Sequence, residues 1–338
     1  MSIRRAASVV LALLGPVLSG CADLHLTQPE GYALARIGPT LLPYAKVSDY
    51  IGNYTPYAIL AATAYQDIDA QGRLVGAPEF VSTDGKSWRA EAQAWLKPWR
   101  FEFGAMGPLC EGAGCGLPGL EYQVWTRRAG AHCDEAAIVF RGTDANSLGD
   151  WLSDLHGVTR LLPINDQYEQ VQAKMRDIVD RVRKLRCVSP GTRIVTVGHS
   201  LGGGLAQQAA YMSEHIHRVY AFDPSPVTGW TDMHTRYPAK PWPLVIERVY
   251  EHGEVLAYVR FVLRQLIPPT DCDPRIRSFR VDLIHGQPFF QHSMATLAAG
   301  FMEKSGAPYD PKYARPLPGS SPNEGLACRG RTEIAAGR

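Results

Sequence analysis

An α/β architecture, with a mostly parallel central sheet and helices on both faces, is the fold this sequence predicts. Two observations carry it. From residue 121 onward, short β-branched or apolar runs alternate with stretches of helical spacing. Strands separated by helices pair in parallel and are covered on both sides. The second observation is local. The run Ile194-Val195-Thr196-Val197 passes directly into Gly198-His199-Ser200-Leu201-Gly202, and then into the alanine-rich stretch Leu205 to Tyr211. A strand, a tight turn and a helix follow one another with no linker.

The elements read as follows, in chain order. Met1-Ser-Ile-Arg4-Arg5 precedes an apolar run from Ala6 to Leu18 and the small residues Ser19 and Gly20. A basic start, a short apolar core and small residues before a cut predict a secretory signal over 1–20. The run is too short to remain as a membrane span. Leu18-Ser19-Gly20-Cys21 resembles the bacterial lipobox, which implies a lipidated Cys21 as the new N-terminus and a membrane anchor built from acyl chains. In such lipoproteins an aspartate directly after the cysteine favours the inner membrane. Ala22 stands there, so the expected location is the cell envelope, at the outer membrane of a Gram-negative bacterium.

The lipidated N-terminus and a loosely ordered linker are expected over 21–45, one catalytic domain over 46–304, and a Pro/Gly-rich, loosely ordered tail over 305–338. Within the domain, 47–67 has apolar residues at near-helical spacing and reads as an amphipathic helix. Residues 71–120 hold Trp88, Trp95, Trp99 and Phe101, then a Gly/Pro-rich loop, with no readable period. Strands are expected at 121–126 and 136–140, a helix at 168–185, the strand at 194–197 and its helix. Further strands follow near 218–222, 245–250 and 278–284. A closing helix runs from about Gln291 to Met302.

Apolar residues make up 45% of the chain and charged residues 20%, with a net charge of +2. That balance describes a globular protein and offers no basis for a nucleic-acid partner. Apart from Cys21 there are six cysteines: Cys110, Cys115, Cys133, Cys187, Cys272 and Cys328. An even count in an exported chain predicts disulfides. Cys110 and Cys115 bracket a flexible Glu-Gly-Ala-Gly segment and are the first expected pair. No His/Cys cluster has the spacing of a zinc site.

Gly198-x-Ser200-x-Gly202 between strand and helix is the context in which a serine becomes a nucleophile, the signature of an α/β-hydrolase fold. A serine needs a base to take its proton and a carboxylate to orient that base, and in this fold acid and then histidine follow the serine. Of the downstream histidines, His292 and His285 lie after the last strand, where the base is needed. His292, at the head of the closing helix, is favoured. Two carboxylates compete for the acid: Asp223, ending the strand after the nucleophile strand, and Glu254, after the next one. The oxyanion hole is expected from the Leu201 N–H and from Thr143, which follows the strand Ala137-Ile-Val-Phe140 through Arg141-Gly142. This chemistry requires no metal and no organic cofactor.

Phe140-Arg-Gly-Thr143, Asp150-Trp-Leu-Ser-Asp154 and Gly198-His-Ser-Leu-Gly-Gly203 together resemble the class-3 (fungal-type) lipases, over about Ala136 to Phe301. The resemblance implies Ser200 as nucleophile, Thr143 as oxyanion donor, His292 as base and Glu254 as acid, although that family usually has aspartate there. Asp223 is where lipases resembling the pancreatic enzymes carry their acid. Leu148, Trp151, Leu152, Leu155, Leu161 and Leu162 fit either an apolar lid or ordinary core. The implied function is an envelope-anchored serine hydrolase cleaving carboxylic esters of lipids, as a lipase, esterase or phospholipase, through an acyl-enzyme. The alternatives are a non-catalytic envelope lipoprotein on a hydrolase scaffold, and an acyltransferase using the same serine.

Overall fold

The computed structural model describes residues 28, 31–37, 40–41, 45–69, 71–75, 80–105, 119–142, 167–225, 244–257, 260 and 275–305. The first described elements are three short strands, β1 (Tyr32–Ile37), β2 (Thr40–Leu41) and β3 (Ala45–Lys46). Helix α1 (Val47–Tyr50) leads through a 3-10 turn at Ile51–Asn53 into α2 (Thr55–Thr63). Helix α3 (Arg89–Leu96), β4 (Trp99–Ala105), β5 (Tyr122–Ala129) and β6 (His132–Phe140) follow. Next come α4 (Gln167–Arg183), β7 (Arg193–His199), α5 (Leu201–Met212), β8 (Ile216–Phe222) and β9 (Val245–Glu251). Strand β10 (Arg275–Val281), the short α6 (Pro288–Gln291) and α7 (Met294–Ser305) complete it.

All ten strands join one sheet, ordered β2-β1-β10-β9-β8-β7-β6-β5-β4, with β3 pairing to β1. The run from β6 to β10 is parallel. Strands β4 and β5 continue it antiparallel at one side, and β1 lies antiparallel on β10 at the other. This is the α/β-hydrolase arrangement, with the parallel strands central and the antiparallel ones outside.

The parallel strands are apolar on both faces because both faces are covered. On β7, Val195 and Val197 join the core beneath α2 and α7, while Ile194 joins the core beneath α4 and α5. The Thr196 hydroxyl, on the second side, donates to the Ala206 carbonyl at 2.9 Å and so fastens α5 to the strand. Helix α4 presents Val171, Met175, Ile178 and Val182 to that core. Their spacing of three and four residues makes a single stripe, and each contributes about 2 kcal/mol on burial. Its other face is polar, as a surface helix requires.

Three expectations need correction. Tyr32–Ile37 are not linker: β1 extends the sheet on β10, in register from Leu34–Arg280 to Ile37–Arg277, because a sheet edge offers unpaired backbone groups to any extended segment. The domain therefore starts before residue 46. The stretch 47–67 is not one amphipathic helix. It is broken at Ile51–Asn53, and every residue of α2 is buried between the sheet and α7. Its threonines are satisfied locally, Thr55 on the Ile51 carbonyl and Thr63 on the Leu60 carbonyl. The closing helix is also broken, so that His292 falls between α6 and α7.

A disulfide joins Cys133 at the start of β6 to Cys187 beyond α4, across 54 residues. The Cys110–Cys115 pair, Cys21, the signal over 1–20, the lid candidates and the tail from 306 onward lie outside the described residues. Among the described residues, no helix is long and apolar enough to cross a membrane.

Candidate active site

Ser200 occupies the one-residue turn between β7 and α5, at φ +55° and ψ −126°. A side-chain-bearing residue there is strained by about 1–3 kcal/mol and persists only if its surroundings fix it. They do so through the backbone. The Ser200 N–H donates to the Phe222 carbonyl on β8 at 3.0 Å. The Ser200 carbonyl accepts the N–H groups of Gly203 and Gly204, in the first turn of α5, and of Ser225 at 2.9 Å. The flanking glycines are required by space. A Cβ on Gly198 would overlap the Gly202 carbonyl, and one on Gly202 would overlap the Phe140 carbonyl. The serine is nearly fully buried. The N–H of Leu201, first residue of α5, has no acceptor within its helix and lies at the positive end of the helix dipole.

His292 lies in the break between α6 and α7, with its ring against that of His199, the residue before Ser200. Its Nδ1 lies 2.7 Å from Glu254 Oε2, and both side chains are buried. The same carboxylate oxygen accepts the Leu256 N–H at 2.8 Å, while Oε1 pairs with Arg260. Arg260 also donates to the Pro224 carbonyl at 3.2 Å. Burial alone would push the Glu254 carboxyl up. Arg260 and then the hydrogen bond to His292 outweigh it and hold the group below its ordinary value. Glu254 is thus an anion beside the histidine. The outer nitrogen of the ring, Nε2, is buried and has no hydrogen-bond partner among the described residues.

Asp223 sits at the end of β8, buried, at φ +38°. Its Oδ1 accepts the Glu251 N–H at 2.8 Å, and Oδ2 has no partner among the described residues. Burial, and then the charge of Glu254, push its carboxyl well above the usual range. The chain therefore brings Glu254, and not Asp223, into hydrogen-bond contact with His292. His285 lies away from this cluster, 71% exposed, with its Nδ1 3.8 Å from Asp282.

Thr143 lies outside the described residues, but the approach to it is clear. The Gly142 N–H donates to the Tyr65 hydroxyl at 3.0 Å and is committed there. The Tyr65 hydroxyl also meets His199 Nδ1 at 3.1 Å, and the His199 ring packs on that of His292 with centroids 4.6 Å apart. Burial first, and His292 second, keep His199 well below the ordinary histidine range, hence neutral. One ring nitrogen each of His199 and His292 and a carboxylate oxygen of Asp223 lie within 4.8 Å of one another.

Tyr65, His199 and Arg260 were not singled out by sequence reasoning. His199 stood inside the glycine motif. Arg260, six residues after Glu254, was visible as a charge but had no evident partner. No local pattern marked Tyr65.

The description of one protein family, Phospholipase-like (Tle-like phospholipase domain), fits residues 57–224. That span runs from α2 through Ser200 to Pro224, and ends before Glu254 and His292. No curated protein matches the sequence. Among solved structures, that titled "Crystal structure of M37 lipase" is 12% identical, with 77% of this chain and 83% of that chain covered and a TM-score of 0.34. A likeness of that size adds nothing to the topology already described. Over residues 57–224 the chain is similar to the Tle-like phospholipase domain, and its sheet and strained serine turn are those of an α/β-hydrolase.

Proposed function

We propose that the chain is a serine hydrolase that cleaves carboxylic esters of lipids. The observation that carries this reading is the buried Glu254–His292 pair, packed through the ring of His199 against the turn that holds Ser200 at φ +55°. The similarity to a phospholipase-like domain supports a lipid substrate. Ser200 Oγ attacks the ester carbonyl while His292 Nε2 takes its proton, and Glu254 stabilises the imidazolium that forms. The tetrahedral oxyanion receives the Leu201 N–H and a donor from residue 143. The imidazolium returns its proton to the departing alcohol, leaving an acyl-enzyme. Water then repeats the sequence, releasing the fatty acid and restoring Ser200. Every proton taken is returned, so the cycle needs no further reactant.

The remaining parts of the reading are a Cys21 lipid anchor and residence in the cell envelope at the outer membrane. Their support is the Leu18-Ser19-Gly20-Cys21 tetrapeptide and Ala22 after it. The test of the reaction is hydrolysis of p-nitrophenyl esters from short to long chain, alongside phospholipid vesicles, by the native protein and by Ser200→Ala. The expected result is activity in the native protein and none in the variant. Equal turnover by both would end the proposal.

A further inference from the structure

Three neighbouring side chains, His292, His199 and Asp223, share one feature: each is fixed through one polar atom and leaves another unpartnered. His292 is held at Nδ1 by Glu254 at 2.7 Å, and its Nε2 has no partner. His199 is held at Nδ1 by Tyr65 at 3.1 Å, and its Nε2 has none. Asp223 is held at Oδ1 by the Glu251 N–H at 2.8 Å, and its Oδ2 has none. Their exposures are 3%, 4% and 0%. Among the described residues, five buried side-chain polar atoms lack a partner, and three belong to this one cluster. Leaving such an atom unpaired costs about 1–3 kcal/mol, so their concentration at one point calls for a ligand. Elsewhere in the same sheet, buried Glu135 is paired with Tyr57 and Arg193 and Glu247 with Tyr54 and Arg277, while Glu251, whose N–H binds Asp223, leaves its Oε2 unpartnered.

We propose that His199, His292 and Asp223 form a binding site for a divalent transition-metal ion, of which zinc is the type, and that its occupation blocks the hydrolase. Two imidazoles and one carboxylate suit zinc, cobalt, nickel or copper, and do not suit magnesium or calcium, which take oxygen ligands. Ligating histidines generally have their second nitrogen held by an acceptor; Glu254 and Tyr65 occupy those places. The size also fits. Three atoms within 4.8 Å of one another share a centre no more than about 2.8 Å from each. Zinc bonds to nitrogen and oxygen are about 2.0–2.2 Å, so each tip must move inward by well under 1 Å.

The Glu254 anion is already paired with Arg260, so the carboxylate of Asp223 is the group left to pair with an incoming cation, giving up any proton it holds to solvent. With the ion in place, the His292 Nε2 lone pair is engaged and cannot accept the Ser200 proton.

The site itself does not rest on the proposed function; only the block does. Zinc binding is measured by titration calorimetry on chelator-treated Ser200→Ala protein, where no turnover interferes, and by the visible absorption of the cobalt form. One ion per chain is expected, weakened at least about tenfold by Asp223→Asn and by His199→Gln, with folding checked by circular dichroism. His285→Gln serves as the control for adventitious surface binding. In the native protein, zinc is expected to stop p-nitrophenyl butyrate hydrolysis, and excess chelator to restore it. Affinity unchanged in both Asp223→Asn and His199→Gln would overturn the site. So would the absence of any stoichiometric binding, and binding that leaves hydrolysis intact would overturn the block. Binding at this cluster by a native protein that hydrolyses no ester would instead overturn the hydrolase reading.

Discussion

Replacing Glu254 by glutamine separates the two acids more sharply than any other change. The side chain keeps its volume, and the fully buried position admits no water to substitute for it. Today Oε2 accepts from both His292 Nδ1, at 2.7 Å, and the Leu256 N–H, at 2.8 Å. An amide nitrogen meets a donor in either place, the Leu256 N–H or the Arg260 guanidinium; in one orientation the amide oxygen stays toward His292 and Leu256 and the nitrogen clashes with Arg260. His292 then keeps a neutral partner but loses the anion that supports its imidazolium. If the amide flips instead, its N–H enforces the tautomer with a proton on Nε2, which cannot act as base. Either outcome removes the stabilisation that a triad carboxylate supplies. Its loss typically costs about 10,000-fold in kcat, equivalent to about 5.5 kcal/mol of barrier. Arg260, partly buried, is left without its anion, a further loss of about 1.5–3 kcal/mol in fold stability. The assay is kcat for p-nitrophenyl butyrate, with urea unfolding measured alongside. A variant that folds and retains more than a tenth of native kcat would refute the assignment, and the same collapse in Asp223→Asn alone would transfer the role to Asp223.

Other outcomes follow from the same geometry. Tyr65→Phe strips the Gly142 N–H and His199 Nδ1 of their shared partner; kcat is expected to fall about tenfold with KM little changed, and an unchanged kcat would show that the clamp is unimportant. The raised pKa of Asp223 means that the folded chain keeps a proton the unfolded chain has lost. Stability is therefore lost as pH climbs above the unfolded value of about 3.9. Asp223→Asn removes that term, so its stability relative to the native protein should increase from pH 4.5 to 8; parallel curves would contradict it. Cutting the Cys133–Cys187 bridge by double alanine substitution frees a loop of 54 residues and is expected to cost about 4 kcal/mol of unfolding free energy. A loss under 1 kcal/mol would count against a constraining role.

The parts of the fold that were legible in the sequence are those where local pattern and burial agree. Residues 194–197 are apolar or β-branched because β7 is covered on both faces, and α4 shows a clean stripe because only one of its faces is covered. Gly198 is likewise a local necessity, forced by the Gly202 carbonyl in the turn itself, whereas Gly202 is forced by the Phe140 carbonyl at the end of the neighbouring strand β6. What the pattern concealed depends on tertiary context. Helix α2 looked amphipathic because tyrosines and threonines break its apolar run, yet all are buried and hydrogen-bonded inside. Strand β1 has an ordinary composition and gains its structure only from the edge of β10. The order of acid and histidine after the serine limited the candidates, but only the approach of β9 and α7 separates Glu254 from Asp223. The cluster of His199, Asp223 and His292 has no ligand spacing to find, since its members lie on three different elements.

The central claim is that Ser200 is the nucleophile and His292 its base. Treatment with a fluorophosphonate followed by peptide mass spectrometry tests this most directly. A single phosphonyl adduct on Ser200 is expected in the native protein, and a labelling rate at least about 1,000-fold lower in His292→Ala, since the hydroxyl is a poor nucleophile without its base. An adduct on a different residue, or equal labelling of Ser200 with and without His292, would contradict it.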